Sequence, residues 1–211
     1  EKLTTLDGHD LILTNETELV TDTAGPLSLA GVMGGLESGI TTQTSRVLLE
    51  AANWNFINIR KTSSRYHINS EASYRFSRDV HPALAEQALA LCLRRIQEWA
   101  GGAVVEGVID QYPLKREDTV NSLTETDIER LLGLKIDLKE AAGILERLGF
   151  ACSIENDLLT AITPPNRTDI ETGLVGKSNL IEEISRIHGY DKIPVERLVG
   201  ELPPQAGDQS V

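Results

Sequence analysis

The sequence predicts an α+β protein in two units, a mixed α/β portion followed by a small helical module. Three observations lead there. The first fifty residues hold short apolar runs split by polar or Gly/Pro punctuation, amphipathic helices follow, and past a polar stretch containing proline the pattern becomes two helices, a hairpin and a helix. A chain of 211 residues with 40% hydrophobic and 25% charged positions has the size and composition of an ordinary globular protein.

In chain order, "DLILT", "ELVTD" and "LSLAGV" read as short strands, and "RVLLEAA" (46–52) reads as a further strand buried on both faces. A helix is predicted near Phe56 to Tyr66. A second runs from Pro82 to Ala100, where Ala85, Leu89, Cys92, Ile96 and Trp99 recur at spacings of three and four. Pro82 suits its first turn and Gly101-Gly102 its end. "AVVEGVID" (103–110) then closes the unit as a strand.

"QYPLKRED" (111–118) is the candidate boundary. Residues 1–114 are read as the first unit, 115–195 as the second and 196–211 as a tail or linker. In the second unit Thr124 can cap a helix carrying Ile128, Leu131 and Leu132 and ended by Gly133. Asp137 can cap the next, whose stripe is Ala141, Ile144, Leu145 and Leu148. "ACSIE" and "LLTAIT" form a hairpin turning at Asn156-Asp157, and a final helix holds "NLIEEISRIHGY". This order resembles a winged-helix-like module.

Charge and cysteines narrow the classes of function. The net charge of −12 argues against bulk adhesion to nucleic acid, which needs clustered Lys and Arg. Residues 57–78 are the exception, with Arg60, Lys61, Arg65, Arg75 and Arg78 against Glu71 alone. They read either as a solvated helix face or as a landing site for a nucleic-acid backbone, with Tyr66, Tyr74 and Phe76 available to stack on bases. Cys92 and Cys152 have no CxxC spacing and read as buried small hydrophobes. No apolar run reaches membrane-spanning length, so no membrane partner is expected. The first residues lack the features of a secretory signal, so the expected location is the cytoplasm.

"AGVMGGLESG" (30–39) packs four glycines into ten positions. A phosphate-cradling loop would need GxxxxGK with Ser or Thr, and there is no Lys. A dinucleotide fingerprint would need GxGxxG leading into a helix. Two readings remain, a tight turn with positive φ or a wall that approaches a ligand through bare backbone. Glu50, which ends "VLLE", sits either in water at a strand end or buried as an acceptor seeking a donor. Asp169, Glu171, Glu182 and Glu183 are hard oxygen ligands of the kind magnesium prefers, or acids that complement a helix start and pair with Arg167 and Arg186. No Ser, His and Asp set suggests nucleophilic catalysis, and His9, His67, His81 and His188 read as surface or capping residues.

The motifs "TLDG", "LAGVMGGLESGI", "VLLEAANWN", "IRKTSSRYHINSEASYRFSRDVHPA", "LERLGF", "PPNRTDI" and "LIEEISRIHGYDKIP" occur in one order. Together they closely resemble the β subunits of bacterial phenylalanine–tRNA ligases, from about Leu6 to Pro194. The resemblance implies the latter part of an editing domain, followed by a small domain described as a DNA-binding type of fold. It implies a parent enzyme that joins phenylalanine to tRNA(Phe) with ATP and magnesium. The partner would be an α subunit, in a heterotetramer of two α and two β chains.

The resemblance also assigns residues. An editing pocket for tyrosine misattached to tRNA would contain Gly31, Gly34, Glu50, Ser70 and Ala72, with Ser70 in place of the family's Thr. No catalytic group is assigned. Arg60, Lys61, Arg65, Arg75 and Arg78 would contact tRNA. The family's magnesium acids carry over to Asp169, Asn179, Glu182 and Glu183, with a neutral Asn at the second position and a four-residue insertion before it. The family shares that metal with the α subunit, so the isolated chain is not expected to hold it firmly. "RFSRDVHP" departs from the family's "RFERGVDP", placing Ser77, Asp79 and His81 where Glu, Gly and Asp are common. The chain alone is expected to be inactive in aminoacylation and to show little or no editing. The competing reading is a non-catalytic module that binds nucleic acid or a partner subunit.

Overall fold

The computed structural model describes residues 1–195, so the expected tail or linker at 196–211 lies outside the described residues. The chain divides into two compact units, Glu1–Glu117 with Pro164–Asp169, and Asp118–Thr163 with the chain from Ile170 onward. Helices and antiparallel sheets together make the fold α+β.

In the first unit β1 (Lys2–Thr4) pairs antiparallel with β2 (Asp10–Ile12). A three-stranded antiparallel sheet follows in the order β3 (Leu19–Thr21), β4 (Pro26–Leu29), β5 (Met33–Gly34). The Leu6 N–H donates to Gly34 O at 2.9 Å and the Leu36 N–H to Thr4 O at 2.8 Å, which stitches the two sheets together. Helix α1 (Phe56–Tyr66) begins where Asn55 Oδ1 accepts from the Ile57 and Asn58 N–H groups, and ends at His67 in the left-handed region, φ +54°. Helix α2 (Glu71–Phe76) follows, then α3 (Leu84–Ala100). Leu3, Leu11, Leu29, Val32, Ile59 and Ile68 form the core, with Trp54, Tyr66 and Phe76 packed on it.

The second unit runs β6 (Val120–Leu123), α4 (Glu125–Leu132), α5 (Leu138–Arg147), β7 (Ala151–Glu155), β8 (Leu158–Ile162) and α6 (Gly173–His188), with a 3-10 turn at Tyr190–Lys192. Its antiparallel sheet has the order β6-β8-β7. Leu159 and Ala161 alternate inward from the central strand, and α5 and α6 pack against the sheet and each other. Asn156 and Asp157 both take positive φ, 49° and 61°, the backbone a two-residue hairpin needs to match strand twist. The caps at Thr124 and Asp137 are in place, and Gly133 ends α4 at φ +66°.

Several expectations are corrected. Residues 46–52 and 103–110 are not strands and are largely exposed. A strand needs a neighbour for its N–H and C=O groups, and no described strand runs beside either one, so apolar composition alone cannot make them strands. Helix α3 starts at Leu84 rather than Pro82 and has no buried residue. Its apolar stripe is only partly covered, with Ala85, Leu89 and Ile96 half-buried and Trp99 79% exposed. Cys92, on the same stripe, is exposed, not buried, while Cys152 is half-buried and burial pushes its thiol up to about 11. Helix α6 begins six residues before Asn179, at Gly173. Strands β1, β5 and β6 and helix α2 have no counterpart in the sequence reading. Each is six residues or fewer, too short for its periodicity to stand out.

One ion pair in the second unit links a helix cap to a neighbouring helix. Thr124 Oγ1 accepts from the Asp127 N–H at 3.1 Å, Asp127 Oδ2 accepts from the Thr124 N–H at 3.0 Å, and Lys177 Nζ on α6 donates to the same Oδ2 at 2.8 Å. The Lys177 bond, followed by that of the Thr124 backbone, holds the Asp127 carboxyl down at about 2, against an ordinary 3.8. A depressed carboxylate stabilises the fold above its unfolded value and loses that contribution as pH falls toward the folded one. Urea unfolding should therefore show Asp127→Asn less stable than the native chain at neutral pH. The gap should close as pH falls through 3.8 toward about 2.

Candidate functional site

The glycine-rich loop leaves β4 at Leu29 and reverses at Gly31, where φ is +64°. A Cβ at Gly31 would lie 2.5 Å from Trp54 Cδ1 and 2.9 Å from Ile59 Cδ1, so the bare Cα is both a turn and a seat for the indole. Gly34 has no positive φ, and a Cβ there would meet the end of the exposed Leu6 side chain at 2.8 Å. The turn reading thus describes Gly31, and the group that approaches its bare backbone is the chain's own Trp54.

Helix α2 is attached to this loop. Ser70 is its N-cap, accepting from the Ser73 N–H at 3.0 Å, while Ser73 Oγ accepts from the Ser70 N–H at 2.9 Å. The Ser70 hydroxyl donates to Val32 O at 2.6 Å, across 38 residues of sequence. This bond holds Ser70, two residues before the half-buried Ala72, against the loop that contains Gly31 and Gly34. Glu50 is different. It lies in the irregular segment before α1, exposed, with no hydrogen bond or ion pair to its carboxylate among the described residues.

The five cations of the basic stretch fall into two sets. Arg65 pairs with Glu16 and donates to Thr14 Oγ1 at 2.7 Å, fastening α1 to the loop after β2. Arg75 pairs with Glu71 one turn away at 3.1 Å. Arg60, Lys61 and Arg78 pair with no carboxylate among the described residues. Arg60 donates to Ser77 O at 2.9 Å, and Arg78 donates to Tyr74 O with its guanidinium 3.7 Å from the Tyr74 ring centroid. Tyr66, expected as a stacking surface, instead bonds Thr17 Oγ1 at 2.9 Å and accepts from the Thr14 N–H at 3.3 Å. Asp79 has φ +60°, which gives a physical reason for the glycine common there in the resembling family.

The acids of the magnesium expectation are engaged individually. Asp169 holds Arg167 through two bonds, of 2.8 and 2.7 Å, and this guanidinium keeps its carboxyl below the usual range. Asn179 Oδ1 accepts from the Glu171 N–H at 3.3 Å, Glu183 pairs with Arg186, and Glu182 is exposed on the other side of α6. Among the described residues no group of three or more His, Cys, Asp or Glu side chains could hold a metal ion. These residues do not present a magnesium site as they stand. Trp54 and Ser73 shape the site and were not assigned by sequence reasoning. Trp54 packs against Gly31, distant in sequence, and Ser73 completes the cap at Ser70.

Residues 1–101 match the family model described as the B3/4 domain, and residues 122–190 match the tRNA synthetase B5 domain. The chain is 38% identical over 194 residues to the phenylalanine–tRNA ligase beta subunit of Clostridium acetobutylicum, covering 92% of this chain and 24% of that protein. It is 40% identical over 195 residues to the same subunit of Streptococcus pneumoniae serotype 4, covering 92% and 24%. With that of Bradyrhizobium diazoefficiens it shares 38% over 195 residues, again covering 92% and 24%. The chain spans about a quarter of the length of these curated relatives.

The two loop glycines should respond differently to a methyl group. Gly31→Ala forces a positive φ on alanine against Trp54 and should cost more than about 1 kcal/mol in chemical denaturation. Gly34→Ala needs only the flexible Leu6 end to shift and should cost less. Equal losses would show that the left-handed turn is not the dominant constraint.

Proposed function

The chain belongs to the family of phenylalanine–tRNA ligase β subunits, and on that premise we propose that it forms part of the hydrolytic editing region of such an enzyme. The parent would charge tRNA(Phe) with phenylalanine, using ATP and magnesium, together with an α subunit. This chain's part would be to help clear tyrosine misattached to that tRNA. The observation that carries the reading is the bond from the Ser70 hydroxyl to Val32 O, which supports one wall built from the glycine loop and the start of α2.

In this reading the small groups at Gly34 and Ala72 leave room for an aromatic ring. Glu50 accepts a hydrogen bond from the tyrosine phenol. Phenylalanine lacks that donor, and in a full enzyme whose closed pocket buries the carboxylate it would be left unpaired, a difference that can discriminate by roughly 10⁴-fold or more. Correctly charged tRNA is thereby spared. No side chain of the wall is placed as a general base, so a positioned water, assisted by a ribose hydroxyl of the tRNA, attacks the ester. Magnesium belongs to the synthetic reaction in this scheme, and no step here passes through it.

The exposed carboxylate of Glu50 favours a second reading for the chain by itself, a binding module that does not hydrolyse. Deacylation of Tyr-charged tRNA(Phe) separates the two. Full-length enzyme carrying Glu50→Ala should lose editing and its selectivity for tyrosine, while the 211-residue chain alone should release little tyrosine. Undiminished, selective editing by the variant would remove Glu50 from the proposal.

A further inference from the structure

The second unit carries a groove of about 410 Å³ between α5 and the end of α6. Lys139, Gly143 and Arg147 line it from α5, four residues apart on one row of the helix, and His188 and Lys192 line it from α6 and the turn that follows. Glu140 is its single acidic lining residue, and this carboxylate is already engaged, with His188 Nδ1 lying 2.8 Å from Glu140 Oε1. The walls are firm, because Ala141, Ile144 and Leu145 of α5 share one buried core with Ile181 and Ile184 of α6.

Lys139, Arg147 and Lys192 have no carboxylate partner among the described residues, whereas Lys135, Lys177 and Arg186 of the same unit pair with Glu129, Asp127 and Glu183. In a chain with 32 Asp and Glu and a net charge of −12, three cations left together are an exception that the fold does not require. Gly143 is a second and independent sign. Glycine is disfavoured in a helix interior, yet Gly143 has no positive φ, and a Cβ there would meet no atom within 4 Å. Neither backbone nor packing asks for glycine here. Its missing side chain clears the groove midway between Lys139 and Arg147.

We infer that this groove is a seat for a compact oligophosphate, with Lys139, Arg147 and Lys192 on its oxygens and the bare backbone of Gly143 letting it close on α5. The geometry favours phosphate over an acidic protein segment. An oligophosphate concentrates several charges where three long side chains can converge, whereas neighbouring carboxylates on a helix stand about 5–6 Å apart. Arg147 offers a planar fork that matches two phosphate oxygens. The volume is within the range of small-molecule sites, about 300–1,000 Å³. Ile187, exposed at the rim, would touch an organic group carried by the phosphates. The seat lies wholly in the second unit and stands apart from the editing reading.

The test is calorimetric binding of inorganic triphosphate, and in a parallel arm of GTP, to the 211-residue chain in metal-free buffer at low salt. Arg147→Gln and Lys192→Gln should each weaken triphosphate binding about fivefold, the upper range for one exposed charge pair. Arg94→Gln, on α3 and paired with Glu98 at 2.9 Å, should bind as the native chain does. Gly143→Ala should raise the urea midpoint, since alanine suits a helix interior and its methyl meets no neighbour, and should still lose affinity. Damage to the fold cannot give that pair of results. Tighter binding of GTP than of triphosphate identifies a nucleotide as the occupant, and equal binding identifies the phosphate chain alone. Native affinity in the Arg147→Gln, Lys192→Gln double variant overturns the assignment, and so does native affinity in Gly143→Ala. A glutamate-rich peptide that displaces triphosphate at comparable concentration overturns it in favour of an acidic protein segment.

Discussion

The site depends on one backbone constraint, the left-handed turn at Gly31. Its φ of +64° sends the chain back from β4, and its missing Cβ lets Trp54 and Ile59 close on the backbone within distances that no side-chain-bearing residue permits. The next carbonyl, that of Val32, accepts the Ser70 hydroxyl. Through that bond the turn fixes the start of α2, and through α2 it fixes Tyr74, Ser77 and the two guanidiniums that their carbonyls hold. A local steric permission at one residue is passed on as a chain of hydrogen bonds to Arg60 and Arg78.

The two units reach their stability by different means. Among the described residues the second has fifteen buried in one core, from Leu123 through Ile184, while the first has six, from Leu3 through Ile68. With little apolar area behind it, the first unit relies more on directional contacts, namely Arg65 with Glu16, the Tyr66 hydroxyl with Thr17, and the paired caps of α2. Such regions open locally at lower free energy than a dense core.

Legibility in the sequence followed the same division. In the second unit, Thr124, Gly133, Asp137 and Asn156-Asp157 announce caps and a turn whose chemistry is local, and α4, α5 and the hairpin are where the pattern places them, whereas β6 is unannounced and α6 starts earlier than its apolar run. In the first unit α1 is equally legible, but 46–52 and 103–110 are not strands. Apolar runs specify burial without supplying the neighbouring backbone that a strand needs. The wall residues Gly31, Gly34, Ser70 and Ala72 came from the resemblance to a family. The bond that unites them spans 38 residues and has no periodic signature. Nor could the sorting of the basic stretch be read in advance, since Glu16 and Glu71 reach Arg65 and Arg75 only once α1 and α2 are formed.

The central claim is that the Ser70 hydroxyl holds the wall of an editing site together. It is tested most directly by deacylation of Tyr-charged tRNA(Phe) in full-length enzyme with Ser70→Ala beside Ser70→Thr. Loss of the hydroxyl removes the cap and the tie to Val32, at a cost of about 1 kcal/mol in stability. Displacement of a positioning group by about 1 Å can lower a rate by ~10²-fold. The account predicts that the alanine variant loses editing but still charges phenylalanine, and that the threonine variant keeps both. Editing at the native rate by a folded Ser70→Ala enzyme would contradict it.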